Sequence, residues 1–167
     1  MRIEGPYASS HSPFTSAHSI LCIVGGTGIT GALSLAERFV RIKTSPDSSE
    51  YTCQNLNVVW SIRNTEDAPL TDIASLQAKA VEAGVDLPFR RHVTGSGRAR
   101  MDFDKVIREW VEQTGVVADG KKGGGKLWVY FSGPQGFMNE GEASCVPLRN
   151  ELQLAGRLEW CSAKWEV

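Results

Sequence analysis

The stretch ILCIVGGTGITGALSL, residues 20–35, decides the fold. Its apolar opening, residues 20–24, has the length and composition of a buried strand, a glycine-rich turn follows, and an amphipathic run begins at once. Strand, glycine turn and helix in that order form a phosphate-binding βα unit, because the N–H groups of the turn and of the helix start face an anion together. Gly26, Gly28 and Gly31 stand in G-x-G-x-x-G spacing. The first allows a tight turn, the second lets backbone approach a pyrophosphate, and the third lets helix pack on strand. A glycine turn with no ligand would share the spacing, so the surrounding pattern has to decide.

Outward from that unit, Leu33, Ala36, Phe39 and Val40 carry the helical stripe to about Ile42, and residues 44–54 have a loop composition. Residues 56–62, LNVVWSI, read as a buried strand rich in β-branched residues. A second helix is expected over 71–83, with Leu70, Ile73, Leu76, Ala80 and Val81 as its apolar face, Thr71 as cap and Gly84 as terminator. A short strand at 89–93 leads into the loop TGSGRAR, residues 94–100. Asp102 then caps a helix with Phe103, Val106, Ile107, Trp110 and Val111 on one face, closed by Gly115. Residues 127–131, LWVYF, are fully apolar and should form a central strand. They run into SGPQGF, residues 132–137, a second glycine turn. A further helix disturbed at Pro147 and a last strand at 157–160 complete the pattern, and residues 1–19 read as strand end plus linker.

The alternation implies an α/β fold, a three-layer open parallel sheet with right-handed crossovers. In such sheets ligands bind outside the carboxyl ends of the strands, so both glycine turns should face one crevice. Arg63, at the end of the second strand, stands where a dinucleotide fold holds the adenosine ribose, and a cation there pairs with the 2′-phosphate of NADP. A connector role for SGPQGF and a solvated Arg63 remain open on these residues alone.

Composition sets the bounds. A chain of 167 residues, 41% hydrophobic, can bury one sizeable core, and its net charge of −1 leaves no electrostatic footprint for nucleic acid or an anionic membrane. No run approaches the roughly 20 apolar residues of a membrane helix, and no signal-peptide pattern opens the chain, so a soluble protein of a reducing cytosol is expected. Cys22, Cys53, Cys145 and Cys161 form no C-x-x-C pair, and His11, His18 and His92 stand apart, so no metal site is expected. DGKKGGGK, residues 119–126, imitates a P-loop through Gly120, Gly125 and Lys126, but Leu127 stands where Ser or Thr must bind Mg²⁺. It should be a flexible surface loop. None of Tyr7, Tyr51 and Tyr130 is followed four residues later by Lys, which removes the usual catalytic pair of a short-chain dehydrogenase.

Taken together, EGPY, VGGTGIT, VVWSIRN, GRARMDF, VYFSGPQGF and LEWCSAKWEV resemble, in order and spacing, the NAD(P)H-binding domain of ferric reductases. That family lies in the ferredoxin-reductase-like superfamily, which includes the NADPH oxidases, and the likeness is closest to fungal membrane ferric (metallo)reductases. The resemblance implies a nucleotide-binding domain of ferredoxin-reductase type at 19–167, with residues 1–18 as the end of a flavin-binding domain plus linker. Gly25, Gly26, Thr27, Gly28, Ile29 and Thr30 would lie along the nucleotide, Ser61 and Arg63 would hold its 2′-phosphate, and Gly97 and Arg98 would lie near it. Gly133, Pro134 and Gly136 would wall the nicotinamide pocket. Ser132, where many relatives have Cys, and Trp165, which would cover a flavin ring, are the implied catalytic positions.

The implied chemistry is hydride transfer from NADPH to FAD and onward through haem to ferric chelates. The chain carries neither flavin-binding motifs nor haem-bearing membrane helices. It would act at the cytosolic face of a membrane with an FAD-binding domain in cis or trans, without itself contacting the membrane. An NADPH-oxidase-type reductase and a non-catalytic nucleotide-binding module are the competing readings.

Overall fold

A computed structural model describes residues 12–64, 70–95, 97, 99–116, 125–152, 154 and 157–163. Five strands form one parallel sheet in the order β3-β2-β1-β4-β5: β1 (Ser19–Gly25), β2 (Asn55–Ile62), β3 (Phe89–Val93), β4 (Leu127–Ser132) and β5 (Leu158–Ala163). The helices are α1 (Pro13–Ser16), α2 (Ile29–Thr44), α3 (Leu70–Glu82), α4 (Phe103–Thr114) and α5 (Gln135–Glu151).

Side chains alternate across the sheet, which creates two cores. Ile20, Cys22 and Val24 of β1 join Leu56, Val58 and Trp60 of β2 beneath α2 and α3. Leu21 and Ile23 join Val59, Val129 and Phe131 beneath α4 and α5. β1 and β4 are therefore buried on both faces, as their unbroken apolar runs imply. The chain steps from β1 to β2 to β3 in one direction and then crosses to β4 and β5 in the other. Crossovers of one hand then require the helices to change face, and they do.

The helix ends follow local chemistry. Asp102 accepts a hydrogen bond from the Lys105 N–H at 3.0 Å, and Gly115, at φ 63°, closes α4 in the left-handed conformation. Gly84, at φ 65°, follows α3.

Several expectations need correction. Val81 is 77% exposed. Ile73, Leu76 and Ala80, at spacings of three and four, fill the buried face of α3, and Val81 sits about 100° further round the helix. α3 begins at Leu70, so Thr71 lies within the helix rather than before it. α5 runs through Pro147, which is exposed, so the carbonyl deprived of its donor faces solvent. The last strand is β5, Leu158–Ala163, three residues longer at its end than the pattern suggested. In the segment read as linker, Pro13–Ser16 form a helical turn and Phe14 is fully buried.

All four cysteines are free thiols. Burial pushes the Cys53 and Cys145 thiols up to about 12 from an ordinary value of 9.0, and raises Cys22 further. The folded chain thus keeps protons that the unfolded chain releases above pH 9.0. This contribution is complete below that value and declines as pH rises towards 12. Urea midpoints on the two sides of pH 9.0 should show the alkaline loss, and Cys53→Ala should reduce it.

Candidate functional site: two glycine turns at the switch point

β1 and β4 are neighbours in the sheet, and their helices leave to opposite faces. This is a topological switch point, and in open α/β sheets the crevice that takes a ligand lies there, beyond the carboxyl ends of the strands. The first glycine turn follows β1 and the second follows β4.

The two turns are in van der Waals contact. Gly133 has φ 149°, and a Cβ there would stand 3.1 Å from both the N and O of Gly25. A Cβ on Gly25 would in turn stand 3.4 Å from Pro134 Cδ and 3.5 Å from the Phe137 ring. At Gly28 a Cβ would strike the Ser132 carbonyl oxygen, 2.6 Å from its carbon and 2.9 Å from Ser132 Oγ. A Cβ at Gly31 would strike the Tyr130 hydroxyl, so the third glycine of the fingerprint permits α2 to lie on β4.

The local conformation suits an anion. Gly26, at φ 54°, turns the chain out of β1. A short 3₁₀ turn, Gly26–Gly28, leads into α2, and the Ile29 N–H is taken by the carbonyls of Gly26 and Thr27. Thr27 and Thr30 are exposed, and the Thr30 hydroxyl donates to the Thr27 carbonyl at 3.2 Å. The Ile29 side chain is buried in the core, so only its backbone borders the crevice. The 16 residues of α2 and the 17 of α5 both direct their N-terminal ends, with their positive dipole ends, at this rim.

Ser132 lies opposite Val24 in the sheet, is 1% exposed, and its Oγ has no hydrogen-bond partner. An orphaned hydroxyl between two glycine turns is costly unless a bound group engages it. Gly133 is half-buried, and Pro134 and Gly136 are exposed along the rim.

Ser61, buried, pairs in register with Gly25, and Arg63 follows at the end of β2 with its side chain exposed. The chain leaving β3 runs beside it. The Thr94 N–H donates to the Ile62 carbonyl at 2.8 Å, and the Gly95 N–H to the Arg63 carbonyl at 2.9 Å. Gly97, at φ 77°, and the exposed Arg100 continue this loop, and His92 Nε2 lies 3.1 Å from the Ala99 carbonyl. Arg98 and Trp165 lie outside the described residues. Trp160 is half-buried, packed on the core, with the Arg149 guanidinium 4.4 Å from its ring centre.

Two supporting residues escape a sequence reading. Trp60 Nε1 donates to the Gly26 carbonyl at 2.8 Å. Phe137 meets Phe103 edge-to-face at 4.9 Å, bracing the second turn against α4. Tryptophan in an apolar strand and phenylalanine after a glycine turn both read as core, and only spatial adjacency reveals the rest.

No protein-family model matches the chain, and no curated protein does. Among solved structures it is similar to a ferredoxin NADP+ reductase from Neisseria gonorrhoeae with bound FAD and NADP, at TM-score 0.53 and 13% identity, over 90% of this chain and 58% of that one. Similarity also extends to the cytochrome b5 reductase domain of Ulva prolifera nitrate reductase, at TM-score 0.49 and 14% identity, over 87% of this chain and 49% of that one. A ferredoxin-NADP+ reductase from Plasmodium falciparum matches at TM-score 0.49 and 13% identity, over 86% of this chain and 53% of that one. The chain spans about half the length of the solved structures it matches. With its five-stranded parallel sheet and helices on both faces, the chain has the fold of the nucleotide-binding domain of ferredoxin-reductase type.

Proposed function

We propose that this chain is the NADPH-binding domain of a flavin-dependent reductase of the ferric-chelate type. The observation that carries the nucleotide reading is the contact of the two glycine turns at the switch point, where a Gly133 side chain would meet the Gly25 backbone. Support for a dinucleotide there comes from the left-handed glycine at Gly26, two helix N-termini and an unpartnered buried hydroxyl at Ser132. The motifs quoted above from VGGTGIT to LEWCSAKWEV support the ferric-reductase assignment.

In this reading Gly25, Gly26, Thr27, Gly28, Ile29 and Thr30 present backbone along the pyrophosphate. Ser61 and Arg63 would take the 2′-phosphate, with Gly97 and Arg98 near the nucleotide, as the resemblance implies. Gly133, Pro134 and Gly136 would wall the nicotinamide with Ser132 beside them, and Trp165 would cover the neighbouring flavin position, as the resemblance implies. NADPH would supply hydride chemistry here, for FAD held by a separate flavin-binding domain in cis or trans, with haem and ferric iron as the later acceptors that the resemblance implies. The protein's task is orientation, so no general base is required. Residues 1–18 would lead in from the flavin domain, and the assembly would work at the cytosolic side of a membrane. Among the described residues no helix is long and apolar enough to cross one.

Arg63→Ala tests the cofactor choice. Loss of a charge-assisted phosphate contact should weaken NADPH by about 1.5–3 kcal/mol while leaving NADH nearly unchanged. Calorimetric titration of both nucleotides measures this, and equal losses would overturn the NADP assignment.

A further inference from the structure

We infer that Trp60 is a positioning residue for the dinucleotide: its indole N–H orients the Gly26–Thr27 peptide so that the Thr27 N–H faces the crevice. The inference rests on the nucleotide reading of that crevice and adds a residue to it.

In a trans peptide the carbonyl and the following N–H point in opposite directions. The Gly26 carbonyl accepts from Trp60 Nε1 at 2.8 Å and also from the Ile29 N–H. Both acceptor directions of that oxygen are therefore engaged from within the protein. Trp60 stands on β2, opposite Val24 in register, and is 2% exposed on the face beneath α2 and α3. An oxygen held towards that side sends the Thr27 N–H away from it, out over the strand ends.

Gly26, in the left-handed region at φ 54°, opens the short 3₁₀ turn Gly26–Gly28, and turns of this kind gather successive N–H groups into an anion-binding concavity. Were the same peptide to flip, the carbonyl would face the bound phosphate and repel it. The indole ring itself has little freedom, since Phe89 meets it edge-to-face at 6.3 Å and 71°. Trp60 thus acts through Gly26 and need not touch the nucleotide.

Two probes separate this role from general support of the fold. NADP+ carries the pyrophosphate, whereas 2′-AMP carries only the adenosine and its 2′-phosphate. Trp60→Phe keeps most of the ring and removes the donor. It should bind NADP+ about three- to tenfold more weakly, the range of one hydrogen bond, while 2′-AMP affinity stays unchanged. Equal weakening of both ligands, or of neither, would overturn the positioning role and leave the nucleotide site standing. Failure of the unaltered protein to bind either ligand would overturn the nucleotide reading, and this inference with it. Should Trp60→Phe not fold, the unaltered protein suffices. The Trp60 indole N–H signal should exchange slowly with water and shift on titration with inorganic pyrophosphate, and a fast-exchanging or unmoved signal would overturn the inference.

Discussion

Phe14→Ala should unfold this protein more readily than any change at the rim of the crevice, lowering stability by about 3–5 kcal/mol. The ring is fully buried in the core beneath α2, with the Arg38 guanidinium 5.2 Å from its centre. Its backbone is engaged as well: the Phe14 carbonyl accepts from the Cys53 N–H at 3.1 Å and from the Thr52 hydroxyl at 3.4 Å. Truncation would leave a cavity bounded by helix, strand and the loop before β2, none of which can collapse without disturbing the others. Urea denaturation of the substituted chain is the measurement. A loss below about 1 kcal/mol, as for a surface change, would show that α1 is an attachment and that the domain begins at β1.

Gly28→Ala should cost about 3 kcal/mol, at the upper end of overpacking, because the obstacle is main chain. The new methyl would meet the Ser132 carbonyl and, at 2.9 Å, the Ser132 hydroxyl. No rotamer change relieves a collision with a carbonyl at the end of a central strand, so the glycine turns must part. The expected outcome is a lower thermal midpoint together with loss of NADP+ binding beyond what the stability change explains. Gly136→Ala is the comparison for the thermal midpoint alone, since a Cβ there meets nothing within 4 Å. If the two lower the thermal midpoint alike, the close approach of β4 to the first turn is not what makes glycine necessary at position 28.

Much of this architecture is legible in the chain because the signals are local. A strand buried on both faces must be apolar throughout, and residues 20–24 and 127–131 say so directly. Asp102 and Gly115 bound α4 by chemistry that needs no tertiary context. Local signals also mislead where one turn of helix decides: Val81 sits beside Ala80 in sequence yet faces water, because adjacent helical residues point about 100° apart. The turn at Pro13–Ser16 is too short to show periodicity, and a single phenylalanine among polar residues gives no pattern at all.

At the site, residue type and order locate both glycine turns and Arg63. What they leave out is long-range. The Trp60 bond to Gly26 spans 34 residues, and the reason for glycine at position 28 is the backbone of Ser132, more than a hundred residues further on. Neither reason can be read from a window of sequence, because each partner would look the same if the other were elsewhere.

Parallel strands linked by helices sort their connections onto two opposite rims. Those that leave a strand, at Gly26, Arg63, Thr94 and Gly133, gather where the crevice opens, whereas those that feed a strand arrive at the other rim. The glycine- and lysine-rich stretch 119–126 joins α4 to the start of β4 and so belongs to the feeding set, although residues 117–124 lie outside the described structure. Its described end, Gly125 and Lys126 beside His18 ahead of β1, thus lies at the rim away from the glycine turns. For an engineer, that makes it a handle: a dye or a tether attached at the exposed Lys126 would be separated from both glycine turns by the length of β4.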